Sequence, residues 1–144
     1  MKSCFDVLRR GAASVLLAAL IPVAAQGAPA FTAVDLGVGV PLDVNSSGAI
    51  LGLDGYAGGT PWVLEGATRS LLPVPAGATV SASRIGESGA VAGQVGSQAA
   101  LWWPQGGGVR TLELLPFPPG ATVGRAVDVN AAGTALVSYG TPIK

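Results

Sequence analysis

The sequence predicts an all-β protein of tandem four-stranded antiparallel repeats of β-propeller-blade type, about two and a half units in an incomplete ring, preceded by an N-terminal signal helix. Three observations predict it. A strand–turn–strand stretch, Asp43-Val44-Asn45-Ser46-Ser47-Gly48-Ala49-Ile50-Leu51-Gly52, returns at Arg84–Gly93 and again at Asp128–Leu136. Its surroundings return with it at a period of about 41 to 44 residues, the size of one four-stranded blade. The 22 Gly and 11 Pro fall between short apolar runs, where they serve as turn residues rather than as low-complexity filler.

The chain divides into a signal peptide (1–25), a linker (26–30), a first repeat (31–77), a second (78–120) and a partial third (121–144). Lys2, Arg9 and Arg10 form a positive n-region, and Ala12–Ile21 is an unbroken small-and-apolar run that Pro22 ends. Val23-Ala24-Ala25 offers the small residues a signal peptidase reads, so cleavage is expected after Ala25, with Gly27 or Ala28 as secondary sites. The run is shorter than the roughly 20 residues needed to cross a bilayer, so no stable membrane span is expected after cleavage. The address is periplasmic or extracellular.

In the first repeat, Phe31–Leu36 reads as a strand because Phe, Thr and Val favour pleated surfaces. A loop at Gly37-Val38-Gly39 follows, and Pro41–Val44 leads into the opening turn. The second repeat divides into strands near Val80–Ile85, Ala90–Val95, Ala99–Trp103 and Val109–Leu114. The two repeats align without a gap through Gly48 on Gly89, Gly52 on Gly93, Trp62 on Trp103, Arg69 on Arg110 and Leu71 on Leu112. Leu72–Val80 then returns as Leu115–Val123, two residues further along. The third repeat contains the turn Asn130–Gly133 and a following strand, and no counterpart of the Trp-bearing strand. An incomplete last unit exposes sheet edges, which makes self-association through open edges one expectation.

The residue inventory narrows the chemistry. Removing Lys2, Arg9, Arg10 and Asp6 from eight basic and eight acidic residues leaves five and seven, a charge of about −2. No basic stripe remains for nucleic acid. The one cysteine, Cys4, precedes the signal's apolar run, and histidine is absent. Ser-His-Asp and Cys-His nucleophiles are therefore impossible, and no Cys- or His-based metal site can be assembled. The acids Asp35, Asp43, Asp54, Glu65, Glu87, Glu113 and Asp128 remain, none in a setting that marks a glycosidase pair. Asp43-Val44-Asn45 and Asp128-Val129-Asn130 carry oxygens at alternate positions, as a calcium site does. Arg84-Ile85-Gly86 has none there, so turn chemistry is the stronger reading. No catalytic residue, cofactor or metal is expected.

Trp102 and Trp103 point to opposite faces of one strand. One of each Trp pair is expected in an inter-sheet core; the sharper alternative is an exposed Trp102 that stacks on a sugar or a partner. Arg69 and Arg110 are expected to be solvent-facing strand residues that cover apolar surface.

The units resemble the HAF repeat, a family of secreted bacterial repeat proteins. The resemblance rests on Val44-Asn45-Ser46-Ser47-Gly48-Ala49-Ile50-Leu51-Gly52 with Trp62, on Ile85–Gly93 with Leu101-Trp102, and on Ala126–Gly133. The family's His-Ala-Phe tripeptide falls near Gln98-Ala99-Ala100, where only an Ala is kept, and Gly86 replaces the usual Asn. The resemblance implies an extracellular address and a propeller-like fold, with no catalytic residues to transfer. The expected role is a secreted, non-enzymatic β-repeat module for surface or matrix interaction with a protein or glycan partner. The alternatives are a truncated fragment of a longer secreted propeller, or a lectin-like carbohydrate-binding module.

Overall fold

A turn that must reverse the chain within four residues starts each repeat, and it closes the same way three times. In the computed structural model, which describes residue 33, residues 35–55 and residues 58–141, Gly48, Gly89 and Gly133 each lie near φ +80°. That backbone region carries no steric penalty only for glycine. The Gly48 N–H donates to Asn45 O (3.0 Å) and the Asn45 N–H to Ala49 O (3.1 Å). Gly86–Ala90 and Asn130–Thr134 repeat both bonds. The expected signal segment, its expected cleavage site at Ala25 and the expected linker lie outside the described residues.

Ten strands are formed among the described residues, all antiparallel. The first sheet is β1 (Val40–Val44), β2 (Ile50–Leu53), β3 (Pro61–Glu65) and β4 (Thr68–Leu71) in that spatial order. The second is β5 (Val80–Ile85), β6 (Val91–Val95), β7 (Gln98–Gly106) and β8 (Val109–Leu114). The third pairs β9 (Val123–Val129) with β10 (Ala135–Gly140). The expected strands of the second repeat are found, three of them within one residue of their expected bounds, while β7 runs three residues past its expected end at Trp103. Of the strand expected at Phe31–Leu36, the described residues Ala33, Asp35 and Leu36 carry none, and the first sheet begins at Val40, just past the expected loop. No helix among the described residues is long and apolar enough to cross a membrane.

Two apolar layers separate the three sheets. Ala49, Leu51 and Val63 of the first sheet meet Ala82, Ile85, Val91, Ala100 and Trp102 of the second. On the far side of the second sheet, Ala90, Ala92, Ala99 and Leu101 meet Ala126 and Val129 of the third. The second sheet is covered on both faces, so β6 and β7 read as continuous apolar runs instead of alternating ones.

Each first hairpin also carries a bulge at one equivalent place. The register skips Leu42 in β1, Ser83 in β5 and Val127 in β9. The skipped residue inverts the side-chain phase of the remainder of its strand. Ala82 and Ile85, three apart, therefore face the same layer, and so do Ala126 and Val129.

The gapless equivalence of Trp62 with Trp103 fails in the ladder. Gly52 pairs with Trp62, whereas its counterpart Gly93 pairs with Ala100. Trp62 in turn pairs with Leu71, and Ala100 with Leu114. The connection after β2 is longer than the Gly96-Ser97 turn, and the β7–β8 hairpin is longer than the Gly66-Ala67 turn. The two length differences oppose one another and hide in a gapless alignment.

Gly52 is itself a packing requirement. A Cβ there would overlap the Trp62 ring. Gly52→Ala is expected to cost about 1–3 kcal/mol by overpacking, read as a lower urea midpoint. Gly66→Ala, where a Cβ meets open space at φ +59°, should cost only about 1 kcal/mol of stability, through backbone strain. Equal losses would show that the Trp62 contact does not govern the site.

Candidate functional site

The polar chemistry of this chain gathers at the seams between sheets. At the first seam the turn of one repeat binds the turn of the next. Asp43 Oδ2 accepts the Ile85 N–H (3.0 Å), and its Oδ1 lies 3.3 Å from Arg84 Nη1. Asn45 is buried: its Oδ1 accepts the Ala49 N–H (2.9 Å) and the Ser47 hydroxyl (2.7 Å), while Nδ2 donates to Gly86 O (3.0 Å). The Ser46 N–H donates to Glu87 Oε2 (3.0 Å), and its hydroxyl bonds the same carboxylate. This arrangement engages the oxygens of Asp43 and Asn45, one of the two pairs that sequence alone offers to calcium. Among the described residues no three acidic, Cys or His side chains converge as a metal group.

Gly86, the departure from the repeat pattern, sits where two seams meet. Its carbonyl takes the Asn45 amide proton from one side. On the other side a Cβ would collide with Val129 O. An Asn there would have no room, so glycine answers to the close approach of the third sheet. The second seam is otherwise made by Arg125, whose Nε and Nη2 donate to Ser83 Oγ (3.0 and 2.9 Å), by the Gly124 N–H to Ser97 O (2.8 Å), and by the Tyr139 hydroxyl to Pro116 O (3.2 Å).

Two expectations about side chains are corrected. Trp102 is not an exposed stacking platform. It is fully buried in the layer between the first two sheets, and its Nε1 donates to Pro73 O (2.8 Å). A ring held on both faces and bonded at its polar edge leaves no surface for a sugar. Trp103, on the opposite face, is half-buried and donates to Glu113 Oε2 (2.5 Å). Arg110 is likewise not solvent-facing. It lies in the part of the β7–β8 hairpin that has no counterpart in the first sheet, and its buried guanidinium reaches Glu65 Oε1 (2.5 Å) across the seam. Arg69 does cover apolar surface, with its guanidinium 4.3 Å from the centroid of the Trp62 ring and paired with Asp54.

No family model, no curated protein and no solved structure matches the chain. Fold and seams together define an all-β protein of repeated antiparallel sheets.

Asn45 and Asn130 separate turn chemistry from seam chemistry. Asn130 Oδ1 accepts the Ala132 and Thr134 N–H groups (3.0 and 2.9 Å), much as Asn45 serves its own turn. Only Asn45 also reaches a neighbouring sheet among the described residues. Asn45→Ala is expected to lower stability more than Asn130→Ala by about 1 kcal/mol, the net worth of one hydrogen bond, in urea titrations on dilute protein. Equal losses would remove the inter-sheet bond from the account.

Proposed function

We propose that the chain is a secreted, non-enzymatic repeat module of β-propeller-blade type, akin to HAF-repeat proteins, that acts by presenting the outer strands of its stacked sheets to a partner at a surface or in an extracellular matrix. The observation that carries this reading is the placement of the seven acids beyond the signal segment. Asp43, Glu65 and Glu87 tie the first seam; Asp54 pairs with Arg69; Glu113 accepts from Trp103. Asp35 accepts the Gly37 N–H and Asp128 the N–H of Val129. Each carboxylate has a local structural partner, which supports a structural role over an acid–base one. Leu71, Val109 and Leu114 meanwhile stand exposed on outer strands, the kind of apolar surface that a partner covers.

The N-terminal segment supports the secreted address by its charge and its apolar run, and a mature chain without cysteine suits an oxidising compartment. Expression from Met1 in a bacterial host, followed by intact-mass measurement of the exported fraction, is expected to give a chain beginning at Gln26. A full-length chain confined to the cytoplasm would refute secretion. The purified exported chain is expected to sediment with bacterial envelopes or extracellular matrix, and Leu71→Lys with Val109→Lys to reduce that binding severalfold; no binding to either material would refute the surface role.

A further inference from the structure

The seams inside this chain follow one rule, and among the described residues its two unmatched halves stand exposed on the first and third sheets. In each seam an apolar residue just past the bulge enters a socket on the preceding sheet. Ile85 packs with Ala49 and Leu51 of the first sheet. Val129 packs with Ala90 and Ala92 of the second. The sequence equivalents of that socket in the third sheet are Thr134 and Leu136, beside Asp128 and Asn130. There they border a concavity of about 270 Å³ lined by Asp128, Val129, Asn130, Thr134, Ala135 and Leu136. The equivalent of Ile85 and Val129 in the first sheet is Val44. Ile85 and Val129 are 5% and 3% exposed, whereas Val44 is 61% exposed and Leu136 63%.

The polar groups match as well. At the first seam Asp43 accepts the N–H of the entering residue, and Asn45 donates to the carbonyl of the next. Asp128 and Asn130 hold those two places in the third sheet. Among the described residues the Asn130 amide has no acceptor, and Asp128 accepts only from its own neighbour Val129, through Oδ1. The second sheet has Arg84 and Gly86 at those places, so its seam lacks both bonds. The third sheet's open face thus reproduces the first sheet's chemistry rather than the second's.

We propose that the chain associates head to tail with a second copy of itself, the Val44 of one copy seating in the third-sheet concavity of the other. Asp128 accepts the incoming Val44 N–H, the Asn130 amide donates to the incoming Asn45 carbonyl, and Leu136 closes over the valine. This continues the internal seams and does not depend on which outside partner the module meets. One difference from the first seam sets the strength. The place of Arg84 is held in the incoming copy by Asp43, whose carboxylate is already engaged with its own Ile85 and Arg84. The junction therefore lacks a cation and brings Asp128 near a second carboxylate, so it is weaker than an internal seam. The contact is heterologous, so each copy keeps one open half after docking.

Analytical ultracentrifugation of the full chain expressed from Met1 tests this. Mass is expected to rise with concentration up to about 1 mM. Val44→Asp and Leu136→Lys should each abolish the rise. An equimolar mixture of the two should form a 1:1 dimer and nothing larger, because one retains an intact socket and the other an intact valine. Asp128→Asn, which keeps an acceptor and removes a charge, should tighten association roughly threefold. Val44→Thr and Leu136→Ala replace the larger changes if near-ultraviolet circular dichroism shows that those unfold the chain. A wild-type monomer throughout the range, association unaltered by either end variant, or a mixture that stays monomeric would each overturn the proposal. Secretion and surface binding are read separately, so their failure is distinguishable from this one.

Discussion

Everything in this stack depends on a bulge that lets one apolar side chain per repeat face backward into the preceding sheet. A regular strand would send Ala82 and Ile85 to opposite faces, and Ala126 and Val129 likewise. With one residue skipped, both members of each pair enter the same layer. The knob then meets alanine at the turn exit (Ala49, Ala90) and a Leu or Ala two residues on (Leu51, Ala92). Large residues at both places would hold the sheets too far apart for the turn of one repeat to hydrogen-bond the turn of the next. The bulge therefore sets the apolar packing and, through it, the reach of Asp43 and Asn45.

Polar groups in the seams depend on that closeness. Asn45 satisfies its own turn with its oxygen and the next sheet with its nitrogen, so one buried amide serves two levels of structure. Gly86 lies between two neighbours and can carry no side chain toward the third sheet. The buried Arg110 is tied by the half-exposed Glu65 and by Gly89 O at 3.5 Å. Losing the carboxylate would leave a guanidinium in apolar surroundings, which costs far more than the pair contributes while intact. These groups specify which sheet lies next to which. The apolar layers supply the drive to stack them.

Much of the fold can be read in the residues, and the reason is local. A turn that needs positive φ requires glycine, so Gly48, Gly89 and Gly133 announce three hairpins without any knowledge of neighbours. The strand boundaries of the second repeat come from the same punctuation. The candidate seams are less legible. Apolar residues three apart within a strand, at Ala82 and Ile85, are the one signal that could have exposed the bulge, since no glycine marks it. Trp102 and Arg110 look alike at the level of sequence: large side chains on strands with room for an exposed role. Their burial comes from the sheet that lies on top of them, which no single strand encodes. The length differences around β3 and β7 oppose one another and leave only a small net shift, so Trp62 and Trp103 look equivalent until the hydrogen-bond ladder is traced.

By itself the sequence determined the all-β class, the recurrence of the hairpins and the absence of any histidine chemistry, because each depends on residue type or backbone angle alone. Only the tertiary structure decided which face of each strand is covered, that Gly86 is a contact point rather than a lost ligand, and that carboxylates scattered along the chain act as ties between sheets. Those facts depend on the distance between sheets. That distance is set by bulges and by small side chains acting together, and it belongs to no residue taken singly.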